Sequence, residues 1–398
     1  MRIQSAAATL ALILVLVPHQ TSAAQAGPEA PETERLYLSG HDADAPRTWG
    51  FRISGGRRAG EWAEIPVPSQ WQQHGFGRYA YGHDERTSAD VGTYRTEVVI
   101  PATWRDRRVR LVFEGAMTDT TPAWNGTPLK THRGGFTPFS YDVTRLVRFG
   151  SANALEIRVA ERSGNATVNA SERKADYWVF GGIYRPVYLE AVPRAAIEDV
   201  ALDARHDGSL LASFVTRGAP AGSRVRSRVL ADSGGALRSG ADARLEAPVT
   251  LAGKAELRAA FTGVRPWSAE TPNLYVLEAT LEDATGAPLH RSRQRFGFRT
   301  VEVRLEGGER VDQESPPGLY VNGRRVLLRG VNRHSFWPDT GRAGSPARNL
   351  ADVEKLKSLT LNAVRMSHYP PDRDFLDACD ELGIYVIDEL PGWHDAYD

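Results

Sequence analysis

The sequence predicts a multidomain β plus α/β chain: two β-sandwiches in succession, then the opening strands of a parallel β/α barrel. Three observations carry this. Up to about Val303 the chain is built of short apolar or alternating runs broken by Gly, Pro, Asn and Asp. From about Val311 strand-like and helix-like segments alternate. Each of the last three strand-like segments ends in a cluster of polar side chains. The length agrees, because 398 residues are two or three domains at roughly 150 residues each.

At the N-terminus Arg2 precedes an apolar run, Ala6 to Val17, and small residues follow at Thr21, Ala23, Ala24 and Ala26. That is the layout of a signal peptide over residues 1–26, too short to span a bilayer. A secreted or periplasmic chain is therefore expected. The only cysteine is Cys379, so no internal disulfide can form. Lys and Arg total 49 and Asp and Glu total 49, a balance that gives no reason to expect nucleic acid or a membrane as partner.

Residues 27–194 read as the first domain. "GTYRTEVVIP", "RVRLVFEG", "ALEIRVAE" and "RPVYLEAVP" are strands without helical periodicity, as in a sandwich or jelly roll. Trp71, Trp104, Trp124 and Trp178 are scattered through it and are expected in the core. Residues 195–303 read as a second sandwich, immunoglobulin-like but without a disulfide, in "SLLASFVTR", "SRVRSRVLAD", "KAELRAAFTG" and "NLYVLEATLED". No cluster of His or carboxylates marks it, so a spacer role is expected.

Residues 304–398 change texture. "RRVLLRGVNRH" reads as a strand, and "NLADVEKLKSLT" as a helix with Leu350, Val353, Leu356 and Leu359 on one face. "NAVRMSH" is a strand, "DRDFLDACDELG" a helix ending at Gly383, and "IYVIDEL" a strand. Such alternation means parallel βαβ units.

In a parallel β/α barrel chemistry sits at the carboxyl ends of the strands. Those ends carry Asn332, Arg333 and His334, then Arg365, Ser367, His368 and Tyr369, then Asp388, Glu389 and Trp393. Two readings stand for Arg365 and Asp388: ligand-binding groups, or a buried ion pair holding the barrel together. His334 and His368, each at a strand end, fit a ligand role better than a core role. They lack the short spacing of zinc ligands, so neither a metal nor another cofactor is expected.

The ordered motifs resemble the glycoside hydrolase family of β-galactosidases, β-glucuronidases and β-mannosidases (family 2). "VPSQWQQHGFG", "GTYRTEVVIPATW" and "DYWVFGGIYRPVYL" are similar to its sugar-binding jelly roll. "RPWSAETPNLYVLEATL" and "RFGFRTVEV" are similar to its immunoglobulin-like domain, and "YVNGRRVLLRGVNRHS", "NAVRMSHYP" and "GIYVIDE" to the opening of its TIM (β/α)8 barrel. The resemblance implies an exo-acting retaining β-glycosidase, β-galactosidase-like, that hydrolyses O-glycosidic bonds of terminal β-linked sugars. It also implies substrate-binding roles for Asp176, Asn332, His334, Arg365, His368, Glu389 and Trp393. Asp176 would be inserted from the jelly roll, and Arg365 would lie on the barrel floor near the catalytic carboxylates. Two departures concern which sugar is taken: Tyr81 and Gly82 stand near the place of a customary asparagine, and "DELPGWHDAYD" differs from the galactosidase pattern.

Retaining hydrolysis needs two carboxyl groups about 5–5.5 Å apart. In the family one follows an Asn-Glu pair, and this chain contains no such dipeptide. Asp388 and Glu389 are adjacent and on a strand would point to opposite faces, so they cannot flank one bond. The acid/base and nucleophile glutamates are thus expected beyond Asp398, in a truncated chain inactive by itself that holds about a third of a barrel's roughly 250 residues. The alternative is a non-catalytic carbohydrate-binding or complementing fragment. A homo-oligomer remains an open form of assembly.

Overall fold

Alternating sequence becomes sheet structure throughout the first domain. Along Ala152–Ala160, Asn153, Leu155, Ile157 and Val159 face inward while the residues between them face out or half out. This strand lies in a six-stranded antiparallel sheet, ordered Ala63–Val67, Arg47–Ile53, Val91–Val99, Ala152–Ala160, Asp119–Trp124 and Thr127–Pro128. A four-stranded sheet of Glu34–Tyr37, Val187–Pro193, Arg107–Phe113 and Phe139–Asp142 packs on it. Their shared core holds Trp49, Phe51, Trp71, Tyr94, Phe113 and Trp124. Trp71, Trp104 and Trp124 are buried as expected, whereas Trp178 is 37% exposed and is not part of this core. Gly181 has to lack a side chain, since a Cβ there would stand 2.0 Å from the Trp71 ring. The computed structural model describes residues 29–79, 89–174, 178–231, 245–304 and 317–392. The signal-peptide segment, Tyr81, Gly82, Asp176 and Trp393 lie outside the described residues.

The second domain is a sandwich of a three-stranded sheet (Ala196–Ala204, Ser209–Arg217, Lys254–Ala260) and a four-stranded sheet (Glu246–Pro248, Arg224–Ala231, Tyr275–Glu282, Pro288–Phe296). Phe214, Leu257, Tyr275, Leu281 and Phe298 fill it, so burial supplies the cohesion that a disulfide gives related sandwiches.

The third region corrects one expectation. "RRVLLRGVNRH" is two strands in different sheets. Arg324–Val326 closes a small antiparallel sheet with Gly318–Val321 and Val301–Arg304, and Gly330–Arg333 opens the parallel sheet. The apolar run between them conceals the break, and Leu327 within it is largely exposed. Val301–Arg304 also runs across the expected 303/304 boundary. Gly330–Arg333, Ala363–Met366 and Tyr385–Ile387 then pair in parallel, in that order.

Helices connect them. Pro346–Ser358 starts at Ser345, whose hydroxyl accepts from the Arg348 amide, with Pro346 in the first turn. Arg373–Leu382 stops at Gly383, whose φ of 78° favours glycine. Phe375, Ala378 and Cys379 pack with Val353, Leu356, Val364, Met366 and Ile384. Leu350 and Leu359, expected on that buried face, are exposed; Asn349 is buried in its place because it bonds Arg333. No described helix is long and apolar enough to cross a membrane.

Candidate functional site

Register places the candidate side chains. Asn332 pairs with Arg365, and Arg365 with Ile387, so these three stand in one layer across the parallel strands. Side chains alternate along a strand, so Arg333 points away from that layer. It is buried against the first helix, bonding Asp352 (2.7 Å), Asn349 (3.0 Å) and Ser335 (2.9 Å), with its guanidinium 4.0 Å from the Phe375 ring centre. Arg333 therefore anchors the strand and does not face a ligand.

The ion pair considered between Arg365 and Asp388 forms with Glu389 instead. Tyr385–Ile387 ends before both carboxylates, and Glu389, two residues past Ile387, returns to the Arg365 face. Arg365 Nε donates to Glu389 Oε1, and an Arg365 amino group reaches Asn332 Oδ1 at 3.4 Å. His368 Nδ1 donates to Glu389 Oε2 at 2.9 Å. A carboxylate oxygen accepts, so Nδ1 is the donor in this bond. Asp388 turns aside and accepts the Glu389 amide at 2.9 Å. Desolvation first, and then the Glu389 charge, raise its carboxyl above the ordinary range, against that hydrogen bond and Arg185.

His334 closes the corner. Its ring lies 5.5 Å from His368, edge-on, and 6.3 Å from Tyr369. Asn332, His334, Arg365, His368 and Glu389 thus sit together at the strand ends. They offer donors and acceptors of both kinds, which suits a polyhydroxylated ligand. Among the described residues no group of three or more His, Cys, Asp or Glu could hold a metal ion.

The jelly roll walls this corner through residues that the sequence did not single out. Tyr369 stacks on Phe136, centroids 4.5 Å apart and planes 10° from parallel. Met117, Phe136, Val179, Tyr184, Ala343 and Tyr369 form one apolar cluster drawn from both domains. Arg342 lies 4.2 Å over the Tyr369 ring, donates to the Trp178 carbonyl at 3.2 Å, and its amide donates to Gln70 at 2.8 Å. Arg185 binds Asp372 at 2.6 Å and the Pro370 carbonyl at 2.9 Å. Burial alone would depress the Arg185 guanidinium, but Tyr184 and Asp372 raise it above its ordinary value. Burial pushes the Tyr184 hydroxyl up to about 12. Arg185 stands in the quoted "GGIYRPVYL" and Asp372 after "SHYPP", yet nothing local to either motif says that they meet.

Comparison with known proteins gives the same three-part division. Residues 44–193 match the family model described as Glycosyl hydrolases family 2, sugar binding domain. Residues 196–299 match Glycosyl hydrolases family 2, and residues 315–394 its TIM barrel domain. The chain is 30% identical over 366 residues to a β-galactosidase of Bifidobacterium adolescentis, a match covering 83% of this chain and 33% of that one. A putative β-glucuronidase of Formosa agariphila is 29% identical over 341 residues, covering 83% of this chain and 38% of the relative. The solved FMN-binding β-glucuronidase from Facaelibacterium prausnitzii L2-6 superposes with a TM-score of 0.73 at 26% identity, covering 91% of this chain and 53% of that one. The chain spans about a third of the length of the curated relatives it matches.

Proposed function

The chain belongs to glycosyl hydrolase family 2, and on that premise we propose that it forms the sugar-recognising part of an exo-acting, retaining β-glycosidase, with terminal β-galactosides as its first substrate class. The observation that carries this is the joint corner of His334, His368, Arg365 and Glu389, walled by the jelly roll through Tyr369 and Phe136. A terminal sugar ring would sit against the two histidines, which touch each other edge to face. Its hydroxyls would bond the side chains of His368, Glu389, Asn332 and Arg365. The β-galactosidase and β-glucuronidase relatives support a β-glycosidase activity for the whole protein.

Retaining cleavage needs carboxyl groups about 5–5.5 Å apart on either side of one bond. Asp388 and Glu389 do not meet that need, because they are chain neighbours and Glu389 is committed to Arg365 and His368. The proposal therefore gives sugar binding to this corner and bond cleavage to polypeptide outside the described residues. In the same proposal residues 1–26 direct export, to the periplasm or beyond.

Isothermal titration of the 398-residue chain with galactose, glucuronate and mannose tests the binding assignment, and a nitrophenyl β-galactoside assay tests the division of labour. Saturable binding of galactose without turnover is expected. Turnover by this chain alone would overturn the assignment of cleavage elsewhere, and no binding of any of the three sugars would overturn the site.

A further inference from the structure

We propose that Trp178 and Phe336 form a stacking platform for the leaving-group ring of the β-glycoside, a second binding position beside the sugar corner. The proposal rests on the reading of that corner as the place of the terminal sugar. Trp178 departs from the other tryptophans discussed above: it is 37% exposed, and its ring lies nearly parallel to Phe336, 16° apart with centroids at 5.4 Å. Phe336 follows His334 by two residues, and its amide donates to the His334 carbonyl at 3.0 Å. The platform is thereby joined through the backbone to a residue that would hold the sugar.

The platform is built and held. Phe180, fully buried, backs Phe336 at 6.1 Å, and Tyr79, 58% exposed, packs on Phe180 at 5.1 Å. Four rings thus run in series from the jelly roll to the end of the first barrel strand. The Trp178 carbonyl is bonded by Arg342, itself buried against Tyr369, so the same residue ties the platform to the corner. A fixed, half-exposed indole suits a ligand with an apolar face and few charges, such as the C–H face of a pyranose or a phenyl aglycone. Preorganisation adds to this, because little side-chain freedom remains to be lost on binding.

The test compares ligands that share a terminal sugar and differ in the leaving group. Methyl β-galactoside is titrated against lactose, and methyl β-glucuronide against phenyl β-glucuronide, into the wild type, Trp178→Ala, Trp178→Phe and Arg365→Ala, each checked by near-UV circular dichroism. In the pair whose sugar binds, the ring-bearing ligand should bind roughly tenfold tighter than the methyl glycoside. Trp178→Ala should abolish that advantage while changing methyl glycoside affinity less than about twofold, and Trp178→Phe should restore most of it. An advantage unchanged in Trp178→Ala, or an equal loss for both ligands, overturns the platform. In either case loss of both ligands in Arg365→Ala would still uphold the sugar corner. Failure of all four ligands to bind the wild type overturns both.

Discussion

Glu389 divides its carboxylate between two neighbours, giving Oε1 to Arg365 and Oε2 to His368. One acidic side chain thereby fixes the direction of a guanidinium and the orientation of an imidazole. Glu389→Gln keeps the shape but can accept through only one oxygen. Sugar affinity should fall about tenfold, while thermal stability changes little because the group is partly solvated. Calorimetric titration alongside a melting curve checks the separation, and a large drop in melting temperature would mean that Glu389 is structural.

Arg185 and Asp372 join the jelly roll to the barrel segment across nearly half the chain, and both are largely withdrawn from water. Asp372→Ala leaves the guanidinium buried without its carboxylate, which should cost about 3–5 kcal/mol. Denaturant unfolding should show it, and Arg185→Met in the Asp372→Ala background should recover part of the loss.

His290 is buried where the N-terminal segment meets the second sandwich, touching Thr33 and accepting the Ile197 amide. Burial lowers its imidazole to about 4, in spite of Glu198 and Glu32. The ring is thus neutral when folded and titrates near 6.5 when unfolded. Its contribution is intact above about 6.5 and is lost as pH falls toward 4, since only the unfolded chain takes the proton in that window. Melting temperatures between pH 7 and 4.5 should fall more steeply for the wild type than for His290→Gln.

Cys379 lies in the core between the barrel helices and strands, and burial pushes its thiol up to about 12. Thiol reagents act on the thiolate. At pH 8 iodoacetamide should leave the folded chain unmodified and label it fully in denaturant, as intact mass would report.

A Cβ at position 383 would stand 2.3 Å from the Ala269 carbonyl, in a backbone that already has φ of 78°. Gly383→Ala should therefore cost more than the roughly 1 kcal/mol of left-handed strain alone, because helix end and second sandwich must separate. Chemical denaturation measures it, and a loss below about 0.5 kcal/mol would show that the contact is soft.

The fold was legible where periodicity is strong. Alternation in "ALEIRVAE" and helical spacing before Gly383 reflect local geometry, and the structure follows them. "RRVLLRGVNRH" was not legible as two strands, because an apolar run does not show where a chain leaves one sheet for another. The grouping of Asn332, Arg365 and His368 could be expected from strand ends. The choice of Glu389 over Asp388 could not, since it depends on where Tyr385–Ile387 stops. Phe136, Arg185 and Arg342 were silent because their partners are distant in sequence. The exposure of Trp178 was hidden by the general rule that sandwich tryptophans fill cores.

The apolar cluster of Met117, Phe136, Val179, Tyr184, Ala343 and Tyr369 belongs to neither domain alone. Domain boundaries drawn along the chain therefore misstate what can be exchanged. A jelly roll grafted from a relative would arrive with its own counterparts of Phe136 and Arg185, and would find Tyr369 and Asp372 shaped for different neighbours. Chimaeras cut near residue 194 should thus fail in a graded way, according to how well those four positions match. The unit of exchange is the seam between the domains, so a graft that carries matched residues at those positions should fold where a mismatched one does not.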